Sequence, residues 1–249
     1  WSGWDYIGEP HPYLLSRSSA FGIIDLAGFK KDRFFLYQSH WRPDLRMAHI
    51  LPHWTWPERI GLVTPVHVYS AADEAELFLN GRSQGRLKKE PYTYRFRWDQ
   101  VVYEPGELRV ATYMNGTVWA DDVVKKTAGA ATKLRLEADR NNIENDGVDL
   151  SFITVAVTDS VGDLAPRAGD IITFSVIGPG EIVATDNGDS TDITVFPSPI
   201  RRAFNGQALV IARAKPGASG TFTVTASAPG LEKAQLNIEA TKSPNNWLG

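Results

Sequence analysis

A chain of 249 residues with 43% hydrophobic and 11% aromatic residues holds ample apolar material for folded cores and exceeds one ordinary domain, so disorder is excluded as the default. Its net charge of -3, with both signs interspersed, offers no basic field for nucleic acid and no polybasic membrane anchor, and no apolar run approaches the ~18 residues that a spanning helix needs. The lack of cysteine excludes disulfides, Cys-ligated zinc and a cysteine nucleophile together, while leaving the compartment open.

The opening, Trp1-Ser2-Gly3-Trp4-Asp5-Tyr6-Ile7-Gly8-Glu9-Pro10-His11-Pro12-Tyr13, has no initiating Met, charged leader or apolar signal core, and is read as continuing from upstream sequence. It is expected to form a short buried strand from Ser2 to Ile7 that delivers polar groups onto a Gly-Glu-Pro loop. A strand ending in Trp, Asp, Glu and His is how a (β/α)8 barrel presents functional groups at its C-terminal face; a core strand closed by a proline turn is the plain alternative. From Phe29 to Trp41 the chain turns helical, with Phe34, Tyr37 and Trp41 at i, i+3 and i+7 and Pro43 as the stop.

Alternation in Val66 and Val68, and in Ala75, Leu77 and Leu79, marks half-buried strands, and Asn80-Gly81 and Asn115-Gly116 are two-residue hairpin signals. With strands expected over 92–98, 106–113 and 117–124, this stretch reads as an antiparallel sandwich of roughly immunoglobulin size. A small-residue linker, 127–132, leads to strands expected over 133–138, 150–159, 171–176, 181–184, 207–214 and 220–228, a second sandwich punctuated by Gly, Pro and Asp. The tail from Lys242 is polar, with Trp247 as its oddity.

Three groups of residues carry a family resemblance. The opening segment, followed by Ser18-Ser19-x-Phe21-Gly22-Ile23-Ile24-Asp25-Leu26-x-Gly28-Phe29, resembles the last barrel strand and last helix of bacterial glycoside hydrolase family 2 enzymes, which include β-galactosidases, β-glucuronidases and β-mannosidases. Pro52-His53-Trp54-x-Trp56-Pro57 and Asp73-Glu74-x-Glu76-Leu77-Phe78-Leu79-Asn80-Gly81 resemble the β-domain that follows the barrel. Ala138-Asp139, Asp146-Gly147, Val155-x-Val157-x-Asp159 and Gly178-Pro179-Gly180 resemble the invasin-like immunoglobulin modules appended to such enzymes. The resemblance covers nearly the whole chain and implies a mainly β protein: the last βα unit of a TIM barrel over 1–42, one β-sandwich over 43–130, an immunoglobulin-like sandwich over 131–241, and a tail, 242–249.

What the resemblance implies for function is the C-terminal fragment of a retaining exo-glycosidase, most like a β-galactosidase acting on terminal β-linked sugars. Retention needs two carboxyl groups, and the family's two glutamates sit on earlier barrel strands, so no catalytic residue is expected in this chain. The fragment is then non-catalytic and mainly scaffolding, with the upstream barrel as its partner, a dimer contact as one further task, no cofactor, and a bacterial periplasmic or extracellular setting. A carbohydrate-binding or adhesion-type immunoglobulin module, contacting glycan through Trp54, Trp56 or Trp119, is the rival reading.

Trp1 matches the family's tryptophan that floors the sugar subsite, and Asp5, Glu9 and His11 are candidates to bond sugar hydroxyls, against which stands ordinary loop capping. His53, Trp54 and Trp56 form a second candidate glycan contact, with packing of this segment against the barrel helix as the favoured alternative. His40 and His49 have no partner at metal-ligand spacing, so no zinc site is expected. Glu181, Asp186, Asn187, Asp189 and Asp192 could be read as a calcium loop but lack the spacing of an EF-hand and fit turn chemistry. Arg82, Arg86, Lys88 and Lys89 read as a solvated sheet edge, and Asn115-Gly116-Thr117 as a hairpin before a glycosylation acceptor.

Overall fold

The computed structural model describes residues 2–8 and 15–242. They pack into two compact units, Lys30–Ala128, and Trp1–Phe29 together with Gly129–Gly249. Each unit contains one β-sandwich.

In Lys30–Ala128 the helix covers Asp32–Trp41. It starts later than expected because Phe29 is taken up by a turn: its amide donates to Asp25 Oδ1 at 2.9 Å and its carbonyl accepts the Asp25 amide at 3.0 Å. Trp41 is exposed, so the expected stripe of Phe34, Tyr37 and Trp41 is not the buried face; Ser39 is buried instead. The helix is fastened to strand Ala48–Leu51, which periodicity alone did not mark, through His49. That ring stacks on Phe35 at 3.9 Å and bonds Asp32 Oδ1 at 2.7 Å.

Strand Ala48–Leu51 pairs with Val66–Ser70, which pairs with Phe96–Trp98. The facing sheet runs Val123–Lys126, Glu107–Met114, Glu74–Leu79, Arg82–Lys88, with Thr117–Val118 hairpinned onto the second of these. Its alternation is as expected: Ala75, Leu77 and Leu79 point inward with Leu108 and Val110 to meet Ile50, Val66, Val68, Phe96 and Trp98 from the other sheet. Both Asn-Gly pairs adopt positive φ at each residue, 50° and 77° at Asn80-Gly81 and 50° and 78° at Asn115-Gly116, the geometry of a type I′ turn. The Arg82–Lys88 edge is charged as read, with Arg86 bonding Glu74 at 2.6 Å and covering the Tyr113 ring at 3.8 Å. Lys89 corrects that reading. It turns inward to donate to the Ser70 carbonyl at 2.6 Å beneath the Phe96 ring, and burial lowers its pKa.

The second sandwich sets a four-stranded sheet, ordered Lys133–Ala138, Leu150–Thr158, Gln207–Ala214, Gly180–Asp186, against a five-stranded one, ordered Asn142–Glu144, Ala234–Thr241, Gly220–Ser227, Ile171–Ile177, Ile200–Arg202. All pairings are antiparallel except Asn142–Glu144 with Ala234–Thr241. Ile153, Val155 and Val157 meet Phe174, Phe222, Val224 and Ile238 in the core. Three of these strands, Asn142–Glu144, Ile200–Arg202 and Ala234–Thr241, were not among those expected. The chain enters at Gly129, whose amide donates to Asp159 Oδ2 at 2.8 Å, while Asp159 Oδ1 accepts the amides of Val161, Gly162 and Asp163.

That constellation predicts a pH effect. The Gly129 amide first, and then those of Asp163, Val161 and Gly162 against the opposing effect of burial, hold the Asp159 carboxyl below its unfolded value of 3.8. A depressed folded value means that the contribution is complete above the unfolded value and is lost as pH falls through the folded one. Asp159→Ala is therefore expected to cost about 2 kcal/mol at pH 7 and to show a shallower loss of stability on acidification than the wild type. Urea denaturation across an acid pH series checks both.

The same unit carries the opening segment. Strand Ser2–Trp4 pairs in parallel with Gly22–Ile24, Ser2 opposite Gly22 and Trp4 opposite Ile24. A buried strand from Ser2 to Ile7 was expected. The observed one stops at Trp4, which is 61% exposed, and a second strand precedes the helix. Two parallel strands cover only one side of each other, and pairing gives way after Trp4, where the chain turns across to an isolated antiparallel bridge between Ile7 and Ser18.

Candidate functional site

Of the four residues expected to face sugar, Asp5 is within the described part of the chain; Trp1, Glu9 and His11 lie outside it. Asp5 sits at the end of its strand and is 5% exposed. Its Oδ1 accepts the Gly22 amide at 2.8 Å and its own amide donates to the Ile24 carbonyl at 2.9 Å, so the residue joins both strands of the parallel pair. Gly22 has to be glycine: a Cβ there would overlap the Asp5 amide and the Trp4 carbonyl carbon. Beyond Asp5, the Tyr6 amide donates to Ser19 Oγ at 3.1 Å and the Ser19 amide to the Tyr6 carbonyl at 2.9 Å, and Ser19 is fully buried.

The next turn of chain brings in Arg17. Its guanidinium bonds Asp186 Oδ1 at 2.7 Å and the Thr194 carbonyl at 3.3 Å, and lies 4.8 Å from the centre of the Phe196 ring. The candidate calcium ligands are thus turned to other uses. Asp186 meets Arg17, Glu181 meets Arg213 at 2.7 Å, and Asp192 meets the buried Arg201 at 3.1 Å. Asn187 donates to Asp192 Oδ2 at 2.8 Å, and Asp189 caps its own turn through the Thr191 amide at 2.9 Å. Burial pushes Asp192 up, but hydrogen bonds from Thr194 and Arg201 outweigh it and hold the carboxyl below its ordinary value.

The second candidate cluster divides. Trp54 is 1% exposed, packs its ring 4.7 Å from that of Tyr103 and donates Nε1–H to the Glu104 carbonyl at 3.0 Å, which leaves no face for a glycan. The segment is loop rather than strand, and Trp54 packs into its own sandwich core, not against the helix as favoured from sequence. His53 and Trp56 are half-buried and stack on each other at 4.1 Å, with Trp56 Nε1–H donating to the His53 carbonyl at 2.7 Å. Trp119 has Arg46 over its ring at 5.5 Å. A cleft of about 370 Å³ opens on the outer face of the four-stranded sheet of the other sandwich, between Phe29, Glu137, Asp139, Phe152 and Thr154.

The family model for the glycoside hydrolase family 2 C-terminal domain 5 matches residues 134–237, and that for a domain of unknown function, DUF4982, matches residues 61–120. The chain is 42% identical, over 96% of its length, to the β-galactosidase BoGH2A of Bacteroides ovatus, and spans 28% of that protein. The chain is homologous to the C-terminal part of bacterial glycoside hydrolase family 2 enzymes. Two solved structures extend the likeness to three dimensions. A beta-glycosidase from Bacteroides vulgatus is 32% identical with a TM-score of 0.89, over 96% of this chain and 30% of that one. A family 2 member from Bacteroides cellulosilyticus is 28% identical with a TM-score of 0.90, over 97% and 36%.

In this family 2 segment the residue missed from sequence is Arg17. Nothing in Leu15-Ser16-Arg17-Ser18 distinguishes it from a solvated loop arginine, and its partner is 169 positions away. Arg201 was missed as well, although its partners lie within sixteen positions. A strand of three residues with two arginines reads as exposed, yet Arg201 is 1% exposed. Among the described residues no group of three or more His, Asp and Glu side chains converges as a metal site.

Proposed function

We propose that this chain is the non-catalytic C-terminal portion of a retaining exo-glycosidase, most like a β-galactosidase, that removes terminal β-linked sugars. The observation that carries the reading is the 42% identity over nearly the whole chain to the β-galactosidase of Bacteroides ovatus. In this reading residues 1–42 close the catalytic barrel and 43–130 and 131–241 are its following modules. Trp1, Asp5, Glu9 and His11 form part of the wall that grips the terminal sugar. Nucleophile and acid/base, two carboxyl groups about 5 to 5.5 Å apart, belong to earlier barrel strands of the complete enzyme. The wall contributes through aromatic packing on sugar C–H groups and charge-assisted hydrogen bonds to hydroxyls. The rest of the enzyme is the chain's partner, the setting is the bacterial periplasm or exterior, and no cofactor is required.

The test compares the chain alone with the complete protein on 4-nitrophenyl β-galactoside. The chain alone is expected to release no nitrophenol. The complete protein is expected to turn over with the β-configuration retained in the first-formed product, read by proton NMR. Inversion, or turnover by the chain alone, refutes the reading. A second reading, glycan capture by the modules, draws on the half-buried His53–Trp56 stack and the cleft beside Phe152; retardation of the chain in polysaccharide-containing gels would favour it.

A further inference from the structure

The end of the first strand is fastened to the C-terminal sandwich. Asp5 to Gly8 and Arg17 to Ser19 are tied to each other by the Ile7–Ser18 bridge and the Tyr6–Ser19 bonds. That pair of segments is held to the loop 187–199 at Arg17. Its backbone amide donates to the Ser190 carbonyl at 2.8 Å, and its guanidinium reaches Asp186, the Thr194 carbonyl and the face of Phe196. With side chains only 14% and 7% exposed, the Arg17–Asp186 pair is poorly screened by solvent, unlike a surface salt bridge.

The receiving loop is stiffened from behind. Arg201, inside the sandwich, also donates to the Thr194 carbonyl, at 3.1 Å, so two arginines from opposite sides converge on one acceptor. A separate contact points the same way. Gly188, at φ 76°, lies against the Asp25 carboxylate with no room for a Cβ, and Asp25 closes the turn that ends at Phe29.

We propose that loop 187–199 of the C-terminal sandwich is a mount for the end of the first strand, with Arg17 as a positioning residue, so that this module sets how tightly the sugar-facing wall binds. Asp5 is bonded to Gly22 and Ile24 of the parallel pair, and through Tyr6–Ser19 and Ile7–Ser18 that tie runs on to Arg17 and so to the mount. This rests on the functional reading above, and the two are separable by experiment.

The first measurement is amide hydrogen exchange on this chain, wild type against Arg17→Met. The amides of Asp5, Tyr6 and Ser19 are expected to exchange about tenfold faster or more in the variant, while those of the core strand Gln207–Ala214 do not change. Arg17→Lys, which keeps the charge on Asp186, is expected to recover part of the protection. The second is steady-state kinetics of the complete enzyme on 4-nitrophenyl β-galactoside. There Arg17→Met and Asp186→Asn are expected to raise KM about tenfold with kcat little altered, because the carboxyl groups that do the chemistry lie elsewhere. Arg213→Met, which breaks an ion pair away from the mount, is expected to leave KM unchanged. Unchanged exchange at Asp5 and Tyr6 overturns the proposal, and so does faster exchange with a wild-type KM. An inactive complete enzyme instead overturns the functional reading, and the exchange result still decides whether Arg17 holds the strand end.

Discussion

Arg201→Met is expected to destabilise the C-terminal sandwich by about 3–5 kcal/mol, among the largest effects of any single substitution in this chain. The side chain is fully enclosed, and every arm of its guanidinium is used. Nε donates to Thr185 Oγ1 at 3.2 Å, Nη1 to Asp192 Oδ2 and the Thr194 carbonyl at 3.1 Å each, and Nη2 to the carbonyls of Thr185 at 2.7 Å and Val195 at 2.9 Å. Methionine matches much of the volume but removes five charge-assisted hydrogen bonds from a partly buried carboxylate, a hydroxyl and three carbonyls, and the cost comes from those lost bonds rather than from lost packing. Arg201→Lys keeps the charge but not the planar fork, so it is expected to recover only part of the loss. Urea unfolding of the wild type and both variants, followed by near-ultraviolet circular dichroism, checks the order. A methionine variant as stable as the wild type would mean that the network is incidental to folding.

Trp54→Ala is expected to cost the other sandwich about 3–5 kcal/mol, whereas His53→Ala and Trp56→Ala each cost about 1 kcal/mol. All three residues stand in one short aromatic cluster, so the difference is decided by burial. Trp54 fills the core against Tyr103, and its Nε1–H donates to the Glu104 carbonyl at 3.0 Å, so the indole ties down the loop that carries Glu104 as well as filling space. Thermal unfolding of the three variants distinguishes them. Under the second reading, glycan retardation of the chain is expected to be sensitive to Trp56 and not to Trp54 beyond the loss of folded protein.

How far the fold is legible in the sequence depends on how local each signal is. Hairpins were legible where a two-residue turn demands positive φ, at Asn80-Gly81 and Asn115-Gly116. A third such turn, Asn205-Gly206 at 51° and 77°, carries the same signal in the sequence. Strand Ala234–Thr241 also carries a regular alternation of Ala234, Leu236, Ile238 and Ala240, a signal of the same kind as that at Ala75, Leu77 and Leu79. The three-residue strands Asn142–Glu144 and Ile200–Arg202 hold too little pattern to be found that way.

The candidate site was legible in part. The residue types at the strand end and the family likeness come from contiguous motifs, and a motif survives in the sequence whatever it packs against. The placement of Asp5 between two parallel strands depends on Gly22 seventeen positions on, and the fates of Glu181, Asp186 and Asp192 each depend on an arginine that the fold brings to them.

By itself the amino-acid sequence determined that this chain is mainly β, where two of its tight turns fall, and which enzyme family it is kin to, because those properties reside in short-range pattern and in motif. Only the tertiary structure decided which charges are buried and what they hold. Arg17, Arg201 and Lys89 look like ordinary solvated cations until folding removes them from water and sets each against acceptors that the fold supplies, and the energy of a charge depends on that environment rather than on the residues beside it in sequence.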